Sequence, residues 1–520
     1  MPVVRRERIS GVDTAWLRMD LPTNLMVIVG VLMFEGRLEV AQLKRTLERR
    51  FLAYRRFRQK AVQDPTGAWW EDDADFDIDS HVHRVALPGK AGKAELQAYV
   101  SDLASTPLDA TKPLWQFHLV DNYDGGSALV MRIHHCYADG IALVQVMLSM
   151  TEKSARASLA LRAQRFEPAA GADEEFWSQI LKPVTGALEG ATRMGRSLLD
   201  QGRELAANPA LAQEAIEGVT RKGMDFAGEL ARIALMGSDS RTRFKGSLGV
   251  KKRVAWAAPL PLEDVKVMGK ALGCSINDVL LAMATGALRD YLQAKGDAVD
   301  GLGIRAIVPV NLRPQGRGNE LGNQFGLVFL DLPIGIDSPL ERLHEVRRHM
   351  LELKGSYQPI IALGLLHVVG HGPRILQDQV TTLLAQNASA VMTNVPGPPH
   401  PIYFGGRRIE ELDFWVPQSG GIGMGVSILS YNGRIQFGLI ADAGLVPDPD
   451  HIVARFADEY EKLMWLTLMS PWDEDEAAPA PPAATRKPRK SRGRAGASKR
   501  EPAPAQASPA SAIPKRFRGL

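Results

Sequence analysis

His134-His135-Cys136-Tyr137-Ala138-Asp139-Gly140 places two adjacent imidazoles, a thiol, a carboxylate and a glycine in one short stretch. A neutral imidazole takes a proton from an alcohol or a thiol. A nearby carboxylate and a glycine hold the backbone that presents it. This is the minimum machinery for moving an acyl group directly from a thioester to an acceptor. An unperturbed imidazole is mostly neutral at pH 7, so His135 is the general base in this reading. Such a base contributes roughly two to four powers of ten in rate. His134 is its immediate neighbour, and in extended backbone adjacent side chains point to opposite faces. His134 is therefore read as a supporting, structural residue beneath the turn. Cys136 raises a covalent alternative, because a thiolate beside a histidine forms an acyl-enzyme. Its neighbouring imidazoles lie one and two residues back, a poor geometry for a Cys–His pair, so direct transfer is expected. Gly140 has two readings: a backbone position close to the substrate path, or simply the first turn of a helix.

The elements that must present these groups are visible on either side. Ala128 to Ile133 is a strand-like apolar run, and Ile141 to Met147 reads as a helix opening just past the motif. The imidazoles then sit at a strand-to-helix turn, a loop on a rigid scaffold. Leu25 to Phe34 is ten residues of apolar chain, too short for the about 20 needed to span a bilayer, and reads as a buried strand. Val40, Leu43, Leu47 and Phe51 recur at helical spacing, as do Leu96, Val100 and Leu103. In the second half, Pro261 to Leu272 is helical, and Ser275 caps a helix from Ile276 to Leu292. Strands are predicted over 305–310, 326–332, 388–395, 425–430 and 434–440. Helix and strand interleave throughout, so the fold class is α/β.

The whole chain sets the outer limits. Its 520 residues suffice for two or three domains, and 45% hydrophobic with 23% charged residues is ordinary for a globular protein. Two cysteines make no disulfide framework and point to a reducing compartment. The opening residues are basic but no signal-peptide apolar core follows directly. The net charge of +4 conceals an asymmetry: residues 481–520 carry eleven Lys/Arg against one Glu, and the rest of the chain is mildly acidic. Four segments are expected. Residues 1–165 form a first lobe containing the His-His motif, and 166–245 an amphipathic helical connector. Residues 246–472 form a second lobe, and 473–520 a disordered, basic, Ala/Pro-rich tail. No metal-ligand spacing and no phosphate-cradling glycine loop is found. Gly420 to Gly423 is glycine-rich, but no βαβ pattern frames it. No cofactor is therefore expected.

The H-H-x-x-x-D-G segment resembles the active-site motif of the chloramphenicol-acetyltransferase-like superfamily. Further segments resemble the bacterial wax ester synthase/diacylglycerol acyltransferase family within it. These are Pro113-Leu114-Trp115, Ser275-Ile276-Asn277-Asp278-Val279, Val308-Pro309-Val310-Asn311-Leu312-Arg313 and Thr393-Asn394-Val395-Pro396-Gly397-Pro398. Gly421 to Met424 with Ser430 to Gly433, and the opening Ser10-Gly11-Val12-Asp13 with Trp16-Leu17, are similar to the same family. The segments run in the family's order from about residue 10 to 445, and the tail lies outside them.

The resemblance implies two similar lobes in a V, with the active site in a channel between them. It implies an O-acyltransferase that moves a fatty acyl group from acyl-CoA, a substrate, to a lipid alcohol. With diacylglycerol the product is triacylglycerol, and with a long-chain fatty alcohol a wax ester. It implies for Asp139 a buried salt bridge with an arginine, Arg305 and Arg313 being candidates. A triad-like orientation of the imidazole is the other reading. Asn277, at a helix start across the cleft, is either the donor for the developing oxyanion or a local cap. Asp278 complements its helix dipole beside the channel. Pro113, Leu114 and Trp115 brace the channel wall, and Asn394 opens a stiff turn near the interface. One alternative keeps the fold with an amine or carrier-bound acceptor, as in condensation domains, although no carrier domain follows. Another is a non-catalytic lipid-body or membrane-binding protein. The expected location is cytoplasmic and peripheral, on the inner face of a membrane or on lipid bodies. The connector carries Arg off its apolar stripe, which suits docking on the lobes or lying on an anionic membrane. The basic tail suits anionic lipid or has no role, with nucleic acid a less apt partner.

Overall fold

A computed structural model of the protein describes residues 6–161, 236–312, 321, 323, 325–353, 356, 358–359, 361–363, 377, 382, 385–418 and 420–470. Most of the expected connector, the tail from residue 471 and Arg313 lie outside these residues.

Three sheets carry the fold. A small one joins Arg6–Arg8, Gly67–Asp72 and Gln59–Asp64. The second runs Tyr403–Phe404, Arg407–Trp415, Val27–Phe34, Ser127–His134, Trp115–Val120 and Val82–Val85. Val27–Phe34 and Ser127–His134 are buried along their whole length. Their continuous apolar sequence follows from burial on both faces. Val29, Val31 and Met33 pack with Val100, Trp256 and Trp415, whereas Ile28, Leu32 and Phe34 pack with Leu43, Phe51 and Phe117.

The third sheet runs Phe325–Leu332, Ile304–Asn311, Ala390–Pro396, Met424–Tyr431, Arg434–Asp442 and Lys252–Trp256, with Leu260–Pro261 also pairing to Arg434–Asp442. Its covering helix, Ile276–Ala294, is buried for most of its length and packs on Pro449–Met469 and Pro339–Leu353. No single described helix is long and apolar enough to cross a membrane. The mixed helix-and-sheet architecture is the one predicted, with strand ends moved by one or two residues.

Two differences matter. Arg407–Trp415 belongs to the second half by sequence, yet it pairs antiparallel with Val27–Phe34 in the second sheet, whose other long strands come from the first half. Without it, a fully buried strand would present an unpaired edge. A simple division at residue 246 does not capture this exchange. The stretch from Asn394, expected as a turn, is instead strand through Pro396, in parallel register with Met424–Tyr431. The chain stays extended because the Gly397 N–H donates to the Ser430 carbonyl at 2.8 Å. Gly397 itself permits the approach, since a Cβ there would lie 2.4 Å from that oxygen.

Candidate active site

The strand Ser127–His134 delivers the motif, and the helix Gly140–Ser149 takes the chain away from it. Pro113-Leu114-Trp115 lies under the turn between them. The Leu114 carbonyl accepts from the His134 N–H at 2.9 Å, and the Leu114 N–H donates to the Tyr137 hydroxyl at 3.0 Å. That hydroxyl donates in turn to the Gln59 carbonyl at 2.6 Å. Trp115 is 0% exposed, packed among Phe51, Phe117 and His81, with its indole N–H on the Phe57 carbonyl. The tripeptide thus braces the catalytic turn from within the core, and Trp115, enclosed by other aromatics, presents no surface to a channel, contrary to its expected place in the wall. Its flat aromatic surface is consumed by other aromatics.

His134 and His135 separate as extended backbone requires. His134 Nδ1 accepts from the Cys136 N–H at 3.1 Å, and its Nε2 lies 3.8 Å from Asp20 Oδ1. His135 instead stacks on Trp16, with Phe325 tilted against it at 5.9 Å. Trp16 comes from the first half and Phe325 from the second, so the ring sits where the halves meet. The residue is 6% exposed, nearly but not wholly sealed. Burial pushes its pKa down to about 4, and the Asp139 carboxylate is the leading influence in the other direction. At neutral pH the imidazole is uncharged. The turn is pinned to both halves as well. The His135 N–H donates to the Met26 carbonyl at 2.7 Å, and the His135 carbonyl accepts from Asn323 Nδ2 at 2.9 Å.

Cys136 is fully buried, and burial drives its thiol pKa well above the ordinary value. A protonated, enclosed thiol is a poor nucleophile.

Asp139 is the N-cap of Gly140–Ser149, its Oδ1 accepting from the Ala142 N–H at 2.9 Å. Arg305, one expected partner, is committed elsewhere: to Asp331 at 3.2 Å and to the Gly237 and Asn387 carbonyls. It pairs in register with Asp331, at the opposite end of the strand pair from the Asn311–Phe325 register beside His135, so Arg305 is not the partner of Asp139. Gly140 is the first residue of the helix, with ordinary backbone and no atom within 4 Å of where a Cβ would lie. The helix-turn reading therefore accounts for it, and no special dihedral is needed.

Across the third sheet, Ser275 caps Ile276–Ala294 in a reciprocal box with Asp278: Asp278 Oδ2 accepts from the Ser275 N–H at 2.9 Å, and Ser275 Oγ from the Asp278 N–H at 3.2 Å. Asp278 is 5% exposed and occupied by this bond, as the first-turn acid expected to complement the helix dipole. The box also removes the cap reading for Asn277. The Asn277 side chain instead accepts from Asn394 Nδ2 at 2.9 Å. Among the described residues, no contact joins Asn277 or Asn394 to the His135 ring. The glycine-rich stretch after residue 420 serves packing, for the Gly420 and Ile422 carbonyls accept from Asn24 Nδ2. Among the described residues, no group of three or more His, Cys, Asp or Glu could hold a metal ion.

Four residues went unassigned in the sequence reading: Trp16 and Phe325, which pack on the imidazole, Asn323, which holds the His135 carbonyl, and Asp13, which holds Asn323. Asp13 and Trp16 stood only in a resembling opening segment. Asn323 lies in a short polar stretch just before the predicted strand at 326, which was the one local signal for it.

Residues 9–280 match the wax ester synthase/diacylglycerol acyltransferase catalytic domain, and residues 321–464 match the WS/DGAT C-terminal domain. A probable diacylglycerol O-acyltransferase, tgs1 of Mycobacterium tuberculosis (strain ATCC 25618 / H37Rv), is 27% identical over 403 residues, covering 76% of this chain and 81% of its own. O-acyltransferase WSD of Acinetobacter baylyi is 27% identical over 409 residues, covering 76% and 83%. In structure, the chain resembles the wax ester synthase/diacylglycerol acyltransferase from Marinobacter aquaeolei VT8, with TM-score 0.61, 20% identity, and 89% and 100% of the two chains covered. It also resembles the first condensation domain of the calcium-dependent antibiotic synthetase, with TM-score 0.57, 16% identity, and 91% and 99% covered. These two likenesses establish the shared fold.

Proposed function

The chain belongs to the wax ester synthase/diacylglycerol acyltransferase family and is an acyltransferase, and from that premise we propose that it moves a fatty acyl group from acyl-CoA to the hydroxyl of a lipid alcohol, with His135 as general base. The alcohol is diacylglycerol or a long-chain fatty alcohol, giving triacylglycerol or a wax ester.

The observation that carries this reading is a neutral imidazole, held at its main chain by both halves of the protein, stacked on Trp16 of one and approached by the tilted ring of Phe325 of the other. As the alcohol oxygen attacks the thioester carbon, its proton passes to the imidazole. The tetrahedral adduct collapses, the C–S bond breaks, and the proton leaves with the CoA thiolate. An imidazole of low basicity suits a step in which the hydroxyl acidifies only as the new C–O bond forms. The charge it acquires is favoured by the Asp139 carboxylate. The thiol of Cys136, buried and protonated, leaves direct transfer as the route. Asn277 is proposed as the oxyanion donor: its Oδ1 is engaged by Asn394, which leaves the amide hydrogens as the groups it has to give.

We infer a peripheral site of work, at the cytoplasmic face of a membrane or on lipid bodies. Exposed Trp465, Leu468 and Met469 at the end of Pro449–Met469 support this, because an aromatic with aliphatic neighbours suits a lipid interface.

The test is CoA release by purified protein across diacylglycerol, long-chain alcohols and amines, with His135→Ala alongside. Release with lipid alcohols that falls at least a hundredfold in the variant is expected. Release with amines alone would transfer the reading to a condensation-type acceptor.

A further inference from the structure

The amide of Asn323 stands between the catalytic turn and a buried acid. Its Nδ2 donates to the His135 carbonyl at 2.9 Å and to Asp13 Oδ1 at 2.8 Å. The main-chain N–H of Asn323 donates to that same Asp13 oxygen at 3.1 Å. Asp13 and Asn323 are both buried. With both amide hydrogens committed, the direction of the Asn323 carbonyl is fixed. Its Oδ1 is buried and has no hydrogen-bond partner among the described residues, and the same is true of His135 Nδ1. Buried polar atoms are almost always paired. These two atoms do not bond each other, so what joins Asn323 to His135 is the bond to the carbonyl of the turn. The Asn323 side chain is also among the groups that support protonation of the His135 ring against burial.

We propose that Asn323, anchored by Asp13, is a positioning residue for His135: it clamps the carbonyl of the turn, so that the imidazole keeps the orientation in which it takes the proton of the acceptor alcohol. This rests on the reading of His135 as general base. The clamped carbonyl belongs to the residue that carries the ring, and holding it fixes the backbone from which the ring projects. Asp13 acts one bond further out, holding the amide rather than the ring. Because Asn323 comes from the second half and Asp13, like the motif, from the first, the clamp forms only when the two halves are docked.

The test uses the full chain and reads kcat and KM for acyl-CoA and the alcohol separately. Asn323→Ala is expected to lower kcat roughly tenfold to a hundredfold, part of what an oriented base contributes, with both KM values within about threefold. It should leave the residual rate of His135→Ala unchanged. Asp13→Ala should lower kcat similarly, and Asp13→Asn, which keeps an oxygen acceptor, should restore it. An Asn323→Ala variant with unchanged kcat, or an Asp13→Ala loss that Asp13→Asn does not restore, overturns the assignment. Full turnover by His135→Ala would instead bring down the general-base reading, a separate result.

Discussion

The indole of Trp16 and the imidazole of His135 lie face to face, with ring centroids 4.2 Å apart and planes 20° from parallel. The stack covers one face of the base, and Phe325 approaches from the second half. Together they supply the burial that lowers the imidazole pKa to about 4. Trp16→Ala should admit water to that face and move the pKa back toward 6.5. The acid limb of kcat/KM against pH should rise by on the order of one unit. A buried tryptophan cut to alanine also costs about 3–5 kcal/mol, so denaturation of the variant should be measured beside its pH profile.

His118 offers a pH test away from the motif. Burial first, then the charges of His83 and Arg132, push its pKa down to about 3. As pH falls below 6.5 the unfolded chain takes up a proton at this residue and the fold does not. Its contribution to stability is therefore complete above pH 6.5 and is lost progressively down to about pH 3. Between pH 7 and pH 5 the loss is about 2 kcal/mol. Buried Asp13 and Asp413 have raised pKa values and act in the opposite sense, which makes the total slope a poor guide. A comparison isolates the histidine: His118→Leu should lose about 2 kcal/mol less than the parent between pH 7 and pH 5 in denaturant titrations.

Cys136 should prove dispensable for turnover. Its thiol is enclosed and its pKa is raised by burial, so no thiolate is present to attack an acyl group. Cys136→Ala should keep kcat within about threefold, and thiol reagents should leave the native enzyme active. A trapped acyl-protein adduct in the parent, absent in this variant, would contradict direct transfer.

The elements were largely legible because their burial is regular. Val27–Phe34 is buried on both faces, so it reads as an unbroken apolar run. Ser275 and Asp278 cap their helix by a local rule that sequence spacing exposes. The imidazoles were legible for the same reason, since neighbours on a strand must diverge. What joined them was not. Asn323 lies 310 residues from Asp13 and 188 from His135, and no periodicity ties such positions together. Trp115 misled in the opposite way. A large aromatic beside a motif suggests a substrate wall, whereas other aromatics had already enclosed it. The swap of Arg407–Trp415 into the sheet of the first half was likewise hidden, because edge pairing depends on topology and leaves no mark in the strand's own residues.

Asp139 has a local task that separates from its charge. Its Oδ1 caps Gly140–Ser149 through the Ala142 N–H. Asp139→Ala should lose about 1–2 kcal/mol through the cap alone, and Asp139→Asn should recover that part because asparagine caps equally well. The carboxylate also favours a positive charge on His135. Asp139→Asn should therefore keep the cap yet be slower, with kcat reduced more than KM is changed. Denaturation and steady-state kinetics on the two variants check this directly.

Two glycines of the matched motifs should respond to alanine in opposite ways. At Gly140 a Cβ would meet nothing within 4 Å, and the residue opens a helix with ordinary backbone. Gly140→Ala should be neutral or stabilising by up to about 1 kcal/mol, because alanine loses less entropy in a helix. At Gly397 a Cβ would lie 2.4 Å from the Ser430 carbonyl, the same oxygen that accepts the Gly397 N–H. The clash falls on backbone, which cannot rotate aside, so the strand pair must part. Gly397→Ala should cost about 1–3 kcal/mol and lower the melting temperature. If Gly140→Ala keeps its stability but raises KM, the open space beside the turn is occupied by substrate.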